Sequence, residues 1–224
     1  MVMEFFRGGA DKELEQIEQT IQQMLIDCRH TFDAAINALL GGTDPDLVKK
    51  DIKKTDRRVN KAERDVRREL VVHTSVRGAQ ADIPMVLVSM SIVKDAERIG
   101  DYAKNIFDLA RAGANLSTVE DLPELITHRD RVSRLIDETA RIFGERDTDA
   151  AHEILQDEDE HLDEYDDIVI AQIDSEAPAS QAVPIALLNR YFKRITAHSM
   201  NILTSLVMPI DRLDYYDEDN ADRW

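Results

Sequence analysis

Residues 94–106 read KDAERIGDYAKNI, and the spacing of apolar residues in and around this segment indicates the fold class of the chain. It contains two of three isoleucines, Ile92, Ile99 and Ile106, that recur every seven residues. Polar and charged side chains fill most positions of the stretch outside this repeat. A seven-residue apolar period is typical of long helices that pack side by side. We therefore predict a long helix that opens at residues 82–84 and ends near Ala112.

The same kind of pattern extends outward in both directions. Ile52, Val59 and Val66 repeat every seven residues in the preceding segment, and apolar side chains follow a three-four spacing from Leu14 to Ala38. Glycine and proline are few, at 8 and 6, which disfavours a fold with many tight turns. The chain is predicted to be all-α, with six long helices at about residues 11–40, 46–73, 82–112, 122–143, 149–173 and 184–208.

An internal repeat relates the two halves of the chain. The segment that starts at Asp56 matches the segment that starts at Asp159, an offset of 103, and Ile99 matches Ile195, an offset of 96. Tandem copies of one helical unit explain two such similar offsets. We predict two tandem three-helix bundles. They could form one elongated body or two separable domains, and the sequence favours neither. The predicted divisions are residues 1–113, 114–210 and an acidic tail at 211–224.

The composition excludes several classes of function. The net charge of −17 disfavours nucleic acid as a partner, because binding a phosphate backbone requires a basic surface. The single cysteine, Cys28, cannot form a disulfide or a thiolate zinc site within one chain. No transmembrane segment is expected, since the longest apolar stretch, Pro84 to Val93, is too short to span a bilayer. We predict a cytoplasmic protein that reaches the inner face of the membrane only through protein partners.

Two segments resemble a known family. Residues 94–106 are similar to the Glu-Arg-Ile-Gly-Asp-His-Ala-x-Asn-Ile signature of the PhoU family, with Tyr102 where histidine is usual. Residues 194–202, which read RITAHSMNI, resemble the second copy and keep His198. The segments at Asp56 and Asp159 resemble the acidic motif of the preceding helix in each half.

The resemblance implies a function as well as a fold. It implies a homodimer that controls phosphate uptake and phosphate-responsive signalling, as an adaptor between components of a membrane transporter and a sensor histidine kinase. It implies a regulator and not an enzyme. Two alternatives stay open: an accessory regulator of another ion transporter, for sodium–phosphate or potassium, and a carboxylate-bridged metalloenzyme. The Glu158-x-x-His161 spacing is the one motif that points to the last of these.

Acidic side chains form a candidate metal site in the first half. Glu97 and Asp101 are four residues apart and share a helix face, where two like charges repel unless a cation neutralises them. Hard oxygen ligands favour a divalent ion or iron. The resemblance implies that acidic residues of the neighbouring helix complete such a site, and the alternative is an ordinary solvated acidic face. The predicted ligands are Asp56, Asn60, Glu63, Glu97 and Asp101.

The second half departs from the family pattern. Lys193 and Ala197 stand where the family has two acidic residues. An ammonium group beside carboxylates can act as a fixed counter-charge in place of a metal. We therefore predict a metal-free second half in which Lys193 lies near Asp159 or Asp163.

Overall fold

The protein is a bundle of long helices. The computed structural model describes residues 12–78 and 81–214, apart from the side chain of Glu160. Within these residues there is no strand, and the predicted all-α architecture with six long helices is confirmed. The helices are α1 (Lys12–Leu40), α2 (Pro45–Arg77), α3 (Ile83–Arg111), α4 (Leu122–Glu145), α5 (Thr148–Ala171) and α6 (Ala179–Val207), followed by a 3-10 turn (Ile210–Arg212).

Aspartate caps fix the starts of three helices. The side chain of Asp44 accepts a hydrogen bond from the Asp46 amide at 2.9 Å, and Pro45 occupies the first turn of α2. Asp82 accepts from the Met85 amide at 3.2 Å at the start of α3. Asp147 accepts from the Ala150 amide at 3.1 Å at the start of α5. A capping carboxylate satisfies amide groups that have no partner within the helix, so these starts could be read from the sequence.

The start of α6 was predicted wrongly. The sequence placed it at Pro184, but α6 begins at Ala179 and Pro184 lies inside its second turn. The carbonyl of Pro178 accepts from the amides of Gln181 and Ala182, which starts the helix earlier. A proline inside a helix removes one backbone hydrogen bond. Burial of Pro184 and its neighbours Ala182 and Ile185 offsets that loss.

The two halves share one core. In the first half α1 packs on α2 and α3, and in the second α6 packs on α4 and α5. The halves meet through α1 against α4 and α3 against α6. The residues of the seven-residue repeats are all buried, which confirms their predicted role: Ile52, Val59, Val66, Ile92, Ile99 and Ile106.

Several predictions about the chain's organisation stay open. The equivalents of Val59 and Ile99 in the second half, Leu162 and Ile195, are also buried, as the repeat requires. The boundary between residues 113 and 114 stays a prediction. Residues 215–224 of the predicted tail lie outside the described part of the chain. None of the helices in the described ranges combines the length and apolarity needed to cross a membrane.

Candidate functional site

Two lysines hold the acidic residues of α2 and α3 together. The Nζ of Lys94 lies 2.6 Å from Oε2 of Glu97 on its own helix and 3.6 Å from Oε1 of Glu63 on α2. Both glutamates are buried, and Arg67 lies 3.2 Å from the same oxygen of Glu63. A buried carboxylate needs a counter-charge to offset the loss of hydration. Lys94 supplies that charge to both helices at once.

The second pair of carboxylates is arranged around Lys104. Its Nζ lies 3.2 Å from Oδ1 of Asp56 and 3.3 Å from Oδ1 of Asp101. Asn60 donates from Nδ2 to the same oxygen of Asp56 at 3.3 Å. Partial burial favours the neutral form of Lys104 and lowers its pKa. The negative charges of Asp56 and then Asp101 raise the pKa by more, so the pKa of Lys104 lies above its ordinary value.

This arrangement divides the predicted metal ligands into two groups. Glu63 and Glu97 share the ammonium of Lys94, whereas Asp56 and Asp101 share that of Lys104. Asn60 belongs to the second group through its hydrogen bond to Asp56. Among the described residues, no three or more histidine, cysteine, aspartate or glutamate side chains form a group suited to a metal ion. As they are arranged, the five residues do not fit one metal cluster, because an ion would have to displace both lysines. Metal binding in the first half therefore stays a prediction.

In this cluster, the sequence-based prediction missed the two lysines. Lys94 precedes Glu97 by three residues and Lys104 follows Asp101 by three. Residues three apart on a helix are neighbours, so this spacing is the signal that could have revealed the internal counter-charges.

A paired substitution tests the metal prediction. Glu97→Ala with Asp101→Ala should abolish any metal uptake measured by elemental analysis, because it removes the two carboxylates of α3. Asp159→Ala with Asp163→Ala is the matched control in the second half and should leave uptake unchanged. Metal kept by the first variant and lost from the second would reverse the assignment. If wild-type protein purified without chelators carries no metal, the predicted metal site of the first half does not exist.

The second half neutralises its acidic residues differently. The Nζ of Lys193 lies 2.6 Å from Oδ2 of Asp166, and Arg190 lies 3.3 Å from Oδ1 of the same side chain. The prediction named Asp159 or Asp163; the ion pair forms with Asp166, three residues after Asp163. By the two offsets of the repeat, Asp166 is the equivalent of Glu63 and Lys193 the equivalent of Glu97. A cation has therefore replaced a carboxylate at one equivalent position, and the two faces differ in charge.

The two signature segments meet where α3 packs on α6. Oδ1 of the buried Asp95 lies 2.8 Å from Nδ1 of His198 and accepts from Nδ2 of Asn201 at 3.2 Å. The His198 ring stacks on Tyr102, with centroids 5.7 Å apart. Tyr102 and His198 occupy equivalent positions, so the departure from the family pattern lies at this contact between the halves. Asp95 is a polar partner that no motif had indicated.

The glycine of the first signature has a packing role. A β-carbon on Gly100 would lie 3.1 Å from Sγ of Cys28 and 3.6 Å from the Val59 side chain. Cys28 is fully buried and donates from Sγ to the Ala96 carbonyl at 3.2 Å. Glycine at this position lets α3 approach both α1 and α2 closely, and Cys28 packs in this contact as a small buried side chain.

Known proteins share this architecture. A crystal structure of PhoU from Pseudomonas aeruginosa superposes with a TM-score of 0.74 at 24% identity, covering 90% of this chain and 98% of that one. The phosphate transport system regulatory protein PhoU from Streptococcus pneumoniae gives the same TM-score at 20% identity, over 88% and 94% of the two chains. These similarities establish a common fold.

Sequence comparison gives the family. A curated relative from Synechocystis sp., described as a phosphate-specific transport system accessory protein PhoU homolog, is 21% identical over 200 residues, 88% of each chain. The family model of the PhoU domain matches this chain twice, at residues 21–110 and 128–206. Together the two matches span most of the sequence and contain both signature segments. This chain belongs to the PhoU family.

Proposed function

We propose that this protein is a cytoplasmic regulator of phosphate uptake and phosphate-responsive signalling. The observation that supports this most strongly is the double match to the PhoU domain, together with a relative described as an accessory protein of phosphate-specific transport. The protein acts by binding and not by catalysis. The candidate carboxylates of α2 and α3 are engaged by Lys94 and Lys104, which suits a structural or recognition role.

The finer proposal is that the chain is an adaptor between a membrane transporter and a sensor kinase. An adaptor needs two surfaces that differ in chemistry. The repeat supplies equivalent exposed arginines, Arg98 on α3 and Arg194 on α6, and neither forms an ion pair within the described residues. Their surroundings differ, because Asp101 lies three residues after Arg98 on the same helix face, whereas the uncharged Ala197 occupies the corresponding position after Arg194. Two similar faces with unlike charges suit two different partners.

Capture from cells tests the proposal as a whole. The tagged chain would be cross-linked in phosphate-replete and phosphate-starved cells, and its partners identified by mass spectrometry. We expect components of a phosphate transporter and a sensor histidine kinase. A sodium–phosphate or potassium transporter would instead support the alternative accessory role, and recovery of neither class would contradict the proposal.

Charge reversal separates the two partner surfaces. Arg98→Glu and Arg194→Glu are matched variants, since each changes one exposed arginine at an equivalent position. Each is expected to reduce capture of one partner by about tenfold or more and to leave the other unchanged, because reversing an interface charge replaces attraction with repulsion. Loss of the same partner from both variants, or of none from either, would contradict a division of partners between the halves.

A further inference from the structure

The equivalent outer helices of the two halves have opposite charges. α2 contains eleven of the 28 lysines and arginines of the chain and six acidic residues. α5 contains ten acidic residues and no lysine or arginine. Each helix packs on its own half, α2 on α1 and α3 and α5 mainly on α6, so each leaves an outer face in solvent. This separation of basic and acidic residues onto two helices is not visible in the net charge of −17.

The cations of α2 form a continuous stripe along its outer face. Alternating steps of four and three residues keep side chains on one side of a helix. All members of this basic stripe are exposed, and they are Lys50, Lys54, Arg57, Lys61, Arg64 and Arg68. Lys61 and Arg68 pair with Asp65 of the same helix, whereas the other four form no ion pair within the described residues. Lys50, Lys54 and Arg57 also line a surface recess of about 560 Å3, which leaves room for side chains of a partner.

The anions of α5 form a stripe at the equivalent positions. The offset of 103 takes Lys50 to Glu153, Lys54 to Asp157, Lys61 to Glu164 and Arg64 to Asp167. These four residues are exposed, and in the sequence Glu160 continues the same spacing. This acidic stripe therefore has the same period and nearly the same length as the basic stripe. Glu164 lies 2.9 Å from Arg131, while Glu153, Asp157 and Asp167 form no ion pair within the described residues.

We propose that the basic stripe of one copy binds the acidic stripe of a second copy. Like charges four residues apart on a helix repel each other, and a neighbouring stripe of opposite charge and equal period relieves that repulsion in both. Each copy has one stripe of each sign, so unlike stripes pair between copies. An anionic membrane or a nucleic acid would engage α2 alone and leave the acidic stripe unpaired. This inference concerns self-association and does not rest on the proposed adaptor role.

Charge-reversal variants of the full chain test the inference by light scattering and sedimentation. Lys54→Glu with Arg64→Glu reverses part of the basic stripe, and Asp157→Lys with Asp167→Lys reverses part of the acidic stripe. Each variant alone is expected to weaken self-association at 0.1 M salt by about tenfold or more, because two of the attractive positions along the paired stripes then become repulsive. Wild-type association should also weaken as salt rises towards 1 M, since exposed charges are screened over a few ångströms there.

Restoration of binding separates stripe pairing from a general change of charge. An equimolar mixture of the two variants should associate, because each then offers the stripe that the other lacks. A single chain that carries all four substitutions keeps the wild-type net charge and should also associate. Asp174→Lys with Glu176→Lys changes two exposed acidic residues of the α5–α6 link and should leave association unchanged.

Three results would overturn the inference. They are a wild-type protein that stays monomeric at all concentrations in low salt, association that survives either reversal, and a mixture that fails to associate. If a monomeric wild type sediments with anionic lipid vesicles while the Lys54→Glu and Arg64→Glu variant does not, that result would assign the basic stripe to a membrane instead.

Discussion

Phe192→Ala is expected to lower the free energy of unfolding by about 3–5 kcal/mol, the usual loss for truncating a fully buried aromatic side chain. Phe192 of α6 is completely buried. Its ring lies 6.0 Å from that of Phe32 on α1 and 6.1 Å from that of Tyr165 on α5, between centroids. The substitution therefore opens a cavity where the core of the first half continues into that of the second.

Urea unfolding followed by circular dichroism measures this effect. Because the halves share the core around Phe192, we expect one cooperative transition that moves to lower urea, without separation into two steps. Phe192→Leu is the matched control, since it keeps most of the apolar volume and should recover much of the loss. A change below about 1 kcal/mol for the alanine variant would show that the cavity is not formed.

Glu158→Gln is expected to change the pH dependence of stability. Burial raises the pKa of Glu158 to about 7 from an ordinary value of 4.5, although Arg131 opposes the shift. The side chain is 5% exposed, and its Oε2 has no hydrogen-bond partner among the described residues. The equivalent position in the first half is the buried Thr55, so a carboxyl group occupies an interior position here.

The sign of the effect follows from proton binding. Between pH 4.5 and 7 the folded chain keeps a proton on Glu158 that the unfolded chain has released. The free energy of unfolding therefore falls as pH rises through this window, by up to about 3 kcal/mol for this group, and the contribution is constant above it. Glutamine cannot ionise, so the free energy of unfolding of the variant lacks this fall. It should therefore increase relative to that of the wild type as pH rises from 4.5 to 7.

Chemical denaturation at a series of pH values between 4 and 8 measures the difference. Glu120→Gln is the control, because Glu120 is exposed and forms no ion pair within the described residues. It should follow the wild type throughout. A constant difference between Glu158→Gln and the wild type at every pH would show that Glu158 ionises alike in the folded and unfolded chains.

Local patterns along the chain predicted the six helices and the faces that they bury, apart from the start of α6. The seven-residue period at Ile92, Ile99 and Ile106 predicted side chains that are all buried, because a fixed period keeps apolar groups on one side of a helix. Asp44 and Asp82 marked two helix starts, since capping is a local interaction within one turn. The repeat and the signature segments predicted the family for the same reason: they lie along the chain and need no knowledge of packing.

The pairing of charged groups between helices could not be predicted from these local patterns and is seen in the packed helices alone. Spacing placed Glu97 and Asp101 on one face, but it did not show that Lys94 and Lys104 reach the carboxylates of α2. It likewise left the partner of Lys193 between Asp159 and Asp163, whereas the ion pair forms with Asp166. Burial of Glu158 was equally hidden, because its neighbours in sequence are acidic and suggest a solvated face. All three cases have the same cause. The period of a helix fixes the direction in which each side chain points around that helix axis. Contact between two helices also depends on their relative register and on the length of the side chains, and these are set by packing.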